Sequence, residues 1–302
     1  MRPASDLDRL FPKFGRGVSH VPGADIPYVI GGEGPPLLLL HGFPQTMAIW
    51  HKVAAHLARR FTVVASDLRG YGAASKPVGL PDHSNYSKRA MAGDQVALMR
   101  ELGFERFGLV GHDRGGRVGH RLAADFPNAV SKLMVLDISP TLAMYEQTNQ
   151  AFATAYWHWF FLIQPAPLPE DMISADAESF LKRFMGNRSA GLAPFSVDAW
   201  NDYVLAAKDR ASVHAMCEDY RAAASIDLEH DRADREASLK LNCPLRVLWG
   251  NHGVVERCFR PLDDWAHVAT AVTGRTIECG HYVPEEAPEE LIYEIERFFL
   301  NG

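Results

Sequence analysis

The stretch that most constrains the chain runs from Phe107 to Phe126. Phe107-Gly108-Leu109-Val110 is a short apolar run of the kind that forms a strand buried on both faces. It passes directly into Gly111-His112-Asp113-Arg114-Gly115-Gly116, and Gly116–Phe126 has helical spacing until Pro127 stops it. Strand, turn and helix thus follow one another with nothing between them. A turn so tight admits no Cβ on its inner side, which accounts for glycine at 111, 115 and 116. It also holds the central residue, Asp113, in a strained pose at the amino end of a helix, with its carboxylate exposed for reaction. The same residues taken alone would fit an aspartate that caps a helix; the strand before and the helix after favour the reactive reading.

The rest of the chain repeats this alternation and breaks it once. Pro36–Leu40, Phe61–Ala65 and Leu133–Leu136 read as strands, and Trp50–Arg60 and Ser87–Leu102 as helices. From Pro140 to Ser238 the chain is rich in Trp, Ala and charge and holds no convincing strand. The rhythm then resumes with a strand at Leu245–Trp249, a helix at Pro261–Ala271, a strand at Thr276-Ile277 and a closing helix around Leu291–Leu300. This pattern predicts an α/β core, residues 1–139 and 239–302, split by a helical cap at 140–238. Ligands are expected at the carboxyl ends of the strands, under the cap.

An aspartate nucleophile is a poor attacker of amides but can displace a leaving group from an sp3 carbon, forming an alkyl ester. That ester must be hydrolysed, which needs a base, an orienting acid and an oxyanion hole. The base expected is His281, in Glu278-Cys279-Gly280-His281-Tyr282 just after the last strand. The chain order nucleophile, acid, histidine is that of the α/β-hydrolase fold. The acid has two possible seats: Asp137, at the tip of Val135-Leu136-Asp137, and Glu256, the nearest carboxylate after the 245–249 strand. Asp137 is favoured. Its task is to fix the histidine tautomer and stabilise the imidazolium. Phe43 N–H, in His41-Gly42-Phe43-Pro44, and Arg114 N–H, next to the nucleophile, are the expected oxyanion donors. Arg114 and Arg117 stand three positions apart at a helix start. They are expected to clamp a substrate carboxylate through their guanidinium forks, implying a small anionic substrate.

Composition narrows the alternatives. With 31 Lys and Arg against 37 Asp and Glu the chain carries a formal charge of -6, which offers no basic face for nucleic acid. Its longest apolar stretches fall short of the ~20 residues that span a bilayer, and its first residues lack the apolar segment of a secretory signal, so a cytoplasmic protein is expected. The four cysteines form no CxxC pair and the 13 histidines no HExxH, so neither a metal nor a cofactor is expected.

Six segments together resemble the haloacetate dehalogenases, specifically the fluoroacetate dehalogenases. They are GHDRGGR at 111–117, HGFPQT at 41–46, VLDISP at 135–140, WHWFFLIQPAPLPE at 157–170, CEDYRAAA at 217–224 and CGHYVPEEAP at 279–288. The resemblance runs along nearly the whole chain, and the cap segments are its most specific part. It implies that Asp113 expels halide from an α-carbon, that Arg114 and Arg117 hold the carboxylate, and that His281 with Asp137 activates water. It implies further that His158, Trp159 and Tyr220 cradle the departing halide, and that the protein forms a homodimer. Without the resemblance, His158 and Trp159 would read as packing residues of an aromatic helix. Trp157, beside them, is a second candidate for the indole donor. The chain departs from the family pattern at Gly116, often alanine, and in the unmatched loop NHGVVER at 251–257.

Two other enzyme readings share the machinery. Haloalkane dehalogenases carry Trp after the nucleophile, where this chain has Arg114, a charge ill suited to neutral substrates. Epoxide hydrolases need a pair of insertion tyrosines, a role open to Tyr156, Tyr203 and Tyr220. A non-catalytic ligand-binding protein on the same scaffold is the alternative from another class.

Overall fold

A computed structural model describes residues 4–300. Eight strands form one sheet: β1 Gly15–Val21, β2 Ala24–Gly31, β3 Pro36–Leu40, β4 Thr62–Ser66, β5 Phe107–His112, β6 Val130–Leu136, β7 Leu245–Gly250 and β8 Val272–Ile277. Their order is β1-β2-β4-β3-β5-β6-β7-β8. Pairing is parallel from β4 through β8 and antiparallel only where β2 meets β1 and β4. The central strands are apolar throughout because helices cover both of their faces. Leu37–Leu40 of β3 are fully buried, as is every residue of β5.

Helices α1 Ala4–Leu10, α2 His51–Leu57, α3 Lys88–Glu101 and α4 Arg114–Asp125 belong to the first part of the chain. The last part adds α13 Val254–Cys258, α14 Pro261–Ala266, α15 Val283–Glu286 and α16 Pro288–Leu300. Between β6 and β7 come α5 Thr141–Glu146, α6 Gln150–Ala155, α7 Trp157–Phe161, α8 Leu168–Ala175, α9 Ala177–Gly186, α10 Val197–Lys208, α11 Arg210–Ala223 and α12 Ile226–Glu236. Among the described residues this insertion contains no strand. Several of its short helices start on a side-chain cap that accepts from an otherwise unpaired first-turn N–H: Asn149 for α6, Asp176 for α9, Ser196 for α10 and Asp209 for α11. No helix among the described residues is long and apolar enough to cross a membrane.

Three local expectations are corrected. The helix expected from Gly116 begins at Arg114, because Asp113 itself supplies the sharp turn. The helix expected over Pro261–Ala271 stops at Ala266, and the strand expected at Thr276-Ile277 starts at Val272. The β1–β2 hairpin lies where no strand was expected. Its signal is Pro22-Gly23 between two alternating segments, with Gly23 at φ 81°, a conformation glycine adopts without a Cβ penalty.

The sheet order fixes where the site can be. β3 sits between β4 and β5, so the connections leave its two sides in opposite directions. A crevice opens beyond the carboxyl ends of β3 and β5 at such a switch point. Residues 41–44 and Asp113 occupy those ends, and the insertion is tied over them by bonds from Tyr71 to Asp219 (2.7 Å) and from Tyr203 to Glu285 (2.7 Å), and by Thr46 on Asp202.

Candidate active site

Asp113 terminates β5 with φ 46° and ψ -111°, a region that non-glycine residues leave unless surrounding structure holds them. The packing here does so. A Cβ on Gly115 would lie 2.4 Å from the Leu40 carbonyl oxygen, and one on Gly42 would lie 2.5 Å from the Asp113 Cβ. Both glycines are therefore required for the two loops to touch. In that contact the Phe43 N–H donates to Asp113 Oδ1 at 2.9 Å. The Arg114 N–H begins α4 and is one of the amides that a helix leaves without an internal partner.

Burial alone would raise the Asp113 carboxyl. The charges of His281, Arg117, His112 and Arg114 outweigh it and hold the group well below the usual carboxylate range. Asp113 is thus an anion at every physiological pH, although it is only 3% exposed.

Asp137 ends β6, again with positive φ, 53°. Its Oδ2 lies 2.6 Å from His281 Nδ1, and its Oδ1 accepts the Gly250 N–H at 3.0 Å. An ionised carboxylate can only accept, so His281 carries its proton on Nδ1 and leaves Nε2 free as a base. Glu256, the other seat considered for the acid, is engaged by the indole N–H of Trp249 instead. The loop that carries His281 is shaped by Glu286, whose carboxylate accepts from Gly280 N–H at 2.6 Å and Tyr282 N–H at 2.9 Å. Beneath it, His112 Nε2 donates to the His281 carbonyl at 2.8 Å, and burial lowers the His112 pKa to about 3, so that ring stays neutral.

The two arginines are held differently. Arg114 is fully buried, and its fork is taken by Asp219: Nε to Oδ2 at 2.8 Å and Nη2 to Oδ1 at 2.7 Å. Asp219 is also paired with Lys88, and burial's upward pull on its carboxyl is overcome by Arg114 and Lys88. Arg117 touches no carboxylate among the described residues. Its Nη1 donates to Ser139 O (3.1 Å) and Thr141 Oγ1 (2.9 Å), and Nη2 to Met144 Sδ (3.2 Å). The Arg114 fork is thus spent on a carboxylate of the protein itself, whereas the Arg117 guanidinium meets only a carbonyl, a hydroxyl and a thioether. Each guanidinium keeps one buried N–H without a partner among the described residues, Nη1 on Arg114 and Nε on Arg117.

The insertion brings neutral donors to the same place. The Phe43 ring stacks on His158 (centroids 5.9 Å) and meets Tyr220 edge-on (5.2 Å), while Tyr220 lies 6.4 Å from Trp159. The Arg114 guanidinium covers the Tyr220 ring at 4.2 Å and that of Arg117 covers the Trp159 ring at 4.7 Å. Four buried polar groups here have no partner among the described residues: Tyr220 OH, Tyr156 OH, Trp159 Nε1 and His158 Nδ1. Burial, and next Arg188, hold His158 far below its usual pKa, so it is a neutral ring. Burial raises both tyrosines, which keep their protons. Trp157, the rival indole, is 44% exposed, and its ring packs against Phe161, Phe180 and Phe184. Tyr203 spends its hydroxyl on Glu285.

Asp219 and Arg188 were missing from the sequence-derived site, and Tyr156 figured there only in the epoxide-hydrolase alternative. Asp219 stands in the quoted segment CEDYRAAA, yet nothing in its spacing indicates that it meets Arg114, 105 positions away.

A buried anion on a strained turn, a histidine–aspartate pair and a shell of unsatisfied polar groups are together chemically capable of nucleophilic displacement with anion stabilisation. Comparison with known proteins agrees with the fold and narrows the family. The model of the alpha/beta hydrolase fold matches residues 35–288. A fluoroacetate dehalogenase from Burkholderia sp is 45% identical over 294 residues, covering 97% of this chain and 96% of that protein. A soluble epoxide hydrolase from Corynebacterium sp. (strain C12) is 34% identical over 279 residues, 90% and 92% of the two chains. A crystal structure from Nostoc sp PCC 7120, provisionally assigned as an alpha/beta hydrolase, superposes with a TM-score of 0.93 at 50% identity, covering 97% of this chain and all of that one. The chain is a hydrolase of the α/β-hydrolase superfamily and belongs, within it, to the haloacetate dehalogenase family.

Proposed function

We propose that the protein hydrolyses fluoroacetate or another short 2-haloacid to the 2-hydroxy acid and halide, through an ester on Asp113. The observation that carries this reading is the set of unpartnered donors around one buried carboxylate. Two come from guanidinium groups and suit a carboxylate; four are neutral and suit a departing halide. Residues 140–238 serve as the cap that keeps these donors dry.

The Phe43 N–H already fixes Asp113 Oδ1, so Oδ2 is the attacking atom. The Arg114 Nη1 and Arg117 Nε protons hold the substrate carboxylate, with the α-carbon presented to Oδ2. Oδ2 forms the C–O bond as the carbon–halogen pair leaves with the halide. A small anion such as fluoride is costly to strip of water. Donors from His158, Trp159 and Tyr220, each worth ~1.5–3 kcal/mol toward a charged partner, lower that cost. His281 Nε2 then takes a proton from water and the hydroxide adds to the Asp113 carboxyl carbon. Negative charge collects on Oδ1, beside Phe43 N–H and the Arg114 N–H. Collapse expels the 2-hydroxy acid, whose oxygen takes the proton back from His281, and Asp113 sheds the remaining proton.

A fluoride-selective electrode reading with fluoroacetate, paired with detection of glycolate, tests the assignment directly. Stoichiometric release of both supports it; no release from any haloacetate, at full substrate range, contradicts it.

One observation favours a second reading. Tyr156 and Tyr220 both present unpartnered hydroxyls, the pair an epoxide hydrolase uses to protonate a ring oxygen. Turnover of a neutral epoxide with no turnover of haloacetate selects that alternative.

A further inference from the structure

Beyond the inner donors, a cavity of about 670 Å³ lies between α9, the loop after it, α6 and the 252–257 segment, and His281 is part of its wall. It reaches the surface, since Trp157, Arg183, His252 and Arg257 on its rim are exposed. Its charged lining is of one sign. Arg183, Arg188 and Arg257 face it and no aspartate or glutamate does, in a chain whose formal charge is -6. Among the described residues none of these three arginines forms an ion pair, whereas Arg114, Arg121, Arg221 and Arg275 are all matched with carboxylates. The His252 ring on the rim lies 2.6 Å from the Glu278 carboxylate, which is not part of the lining.

Arg188 sits at the inner end. Its guanidinium lies 4.9 Å from the Tyr156 ring centroid and 5.3 Å from that of Phe184, and both rings contact His158. The outer cavity and the buried donors therefore meet at Tyr156, Phe184 and Arg188. The rim of this cavity uses the segment 251–257, which does not match the family pattern.

We propose that this cavity is the substrate entrance and that it is an electrostatic guide. Arg183 and Arg257 gather small carboxylates at the rim, and Arg188 passes them inward between the Tyr156 and Phe184 rings. Unpaired cations in a low-dielectric cleft focus field toward its floor and raise the association rate of an anion, by ~10–10³-fold in steered systems. Stacking on two aromatic faces keeps Arg188 in place without a carboxylate that would cancel its charge. The proposal rests on the haloacid reading and adds how the acid arrives.

The test is an association rate. In an Asp113→Asn background, which binds without turnover, stopped-flow tryptophan fluorescence reports chloroacetate binding across a range of ionic strength. The expected result is an association rate that falls steeply with salt. Arg188→Gln lowers that rate about tenfold and flattens its salt dependence, and the surface pair Arg183→Gln/Arg257→Gln lowers it several-fold. Neutral chloroacetamide should associate at the same rate in all variants. The rim pair is exposed, so its effect is readable even if Arg188→Gln folds poorly. Chloroacetate binding with a rate indifferent to salt and to all three arginines overturns this proposal alone. No chloroacetate binding at any concentration overturns the haloacid reading, and the guide with it.

Discussion

The core and the insertion contribute opposite kinds of group to the same site. From the core come charges that already have partners: Asp113 on Phe43 N–H, Asp137 on His281 and Gly250, each on a strained residue at a strand end. From the insertion come neutral polar groups with no partner among the described residues: His158 Nδ1, Trp159 Nε1 and the hydroxyls of Tyr156 and Tyr220. In the proposed reaction the core would supply the reacting centre, formed before substrate arrives, and the insertion the hydrogen bonds for the departing halide. Arg114 joins the two regions. It starts a core helix, yet its fork is spent on Asp219 of the insertion.

That division predicts graded losses. Asp113→Ala should end halide release, a fall of at least about 10⁴-fold in kcat, as removal of a nucleophile does elsewhere. Measurable turnover in that variant would mean that the core is not the reacting region. The arginines should separate next. Arg117→Ala should raise KM and lower kcat, together about 10²-fold in kcat/KM, with a smaller loss of stability than Arg114→Ala because it breaks no direct ion pair. Arg114→Ala should match that kinetic loss and also cost about 3 kcal/mol in denaturant unfolding, since it removes a charge from buried Asp219. Equal stability of the two variants would deny Arg114 its joining role.

Tyr220→Phe should slow fluoride release about tenfold or more but chloride release only a few-fold, because chloride needs less hydrogen-bond help to leave. Equal losses on both halides would remove the cradle from the insertion. The smallest effect concerns the seam. Burial pushes the Glu285 carboxyl up to about 7, against the opposing pull of Tyr203 and Lys52. Between about 4.5 and 7 the folded state therefore holds more protons than the unfolded one, so stability from this group falls as pH rises. Glu285→Gln should raise Tm at pH 8 by a few degrees and leave it nearly unchanged at pH 5. The reverse order would contradict that burial.

The two regions also differed in how much the sequence disclosed. Asp113, Asp137 and Phe43 follow short apolar runs that mark buried strands of a parallel sheet, and His281 lies just after the last strand. The roles proposed for them are read from position. His158, Trp159 and Tyr220 have no such mark, because an aromatic helix packs at the same spacing that a donor cradle uses; only the likeness to a family singled them out. Separation of Trp159 from Trp157 needed three dimensions, where one indole is enclosed and the other is 44% exposed. The Arg114–Asp219 pair was illegible for a different reason. A long-range ion pair leaves no period in the chain, so the sequence offered two equivalent arginines where the fold makes them unequal.

The most direct measurement is mass spectrometry of the His281→Ala protein after exposure to fluoroacetate or chloroacetate. With the base gone, hydrolysis should stall, and a carboxymethyl ester should accumulate on the peptide that carries Asp113. An unmodified Asp113 in protein that still binds haloacetate would contradict the account.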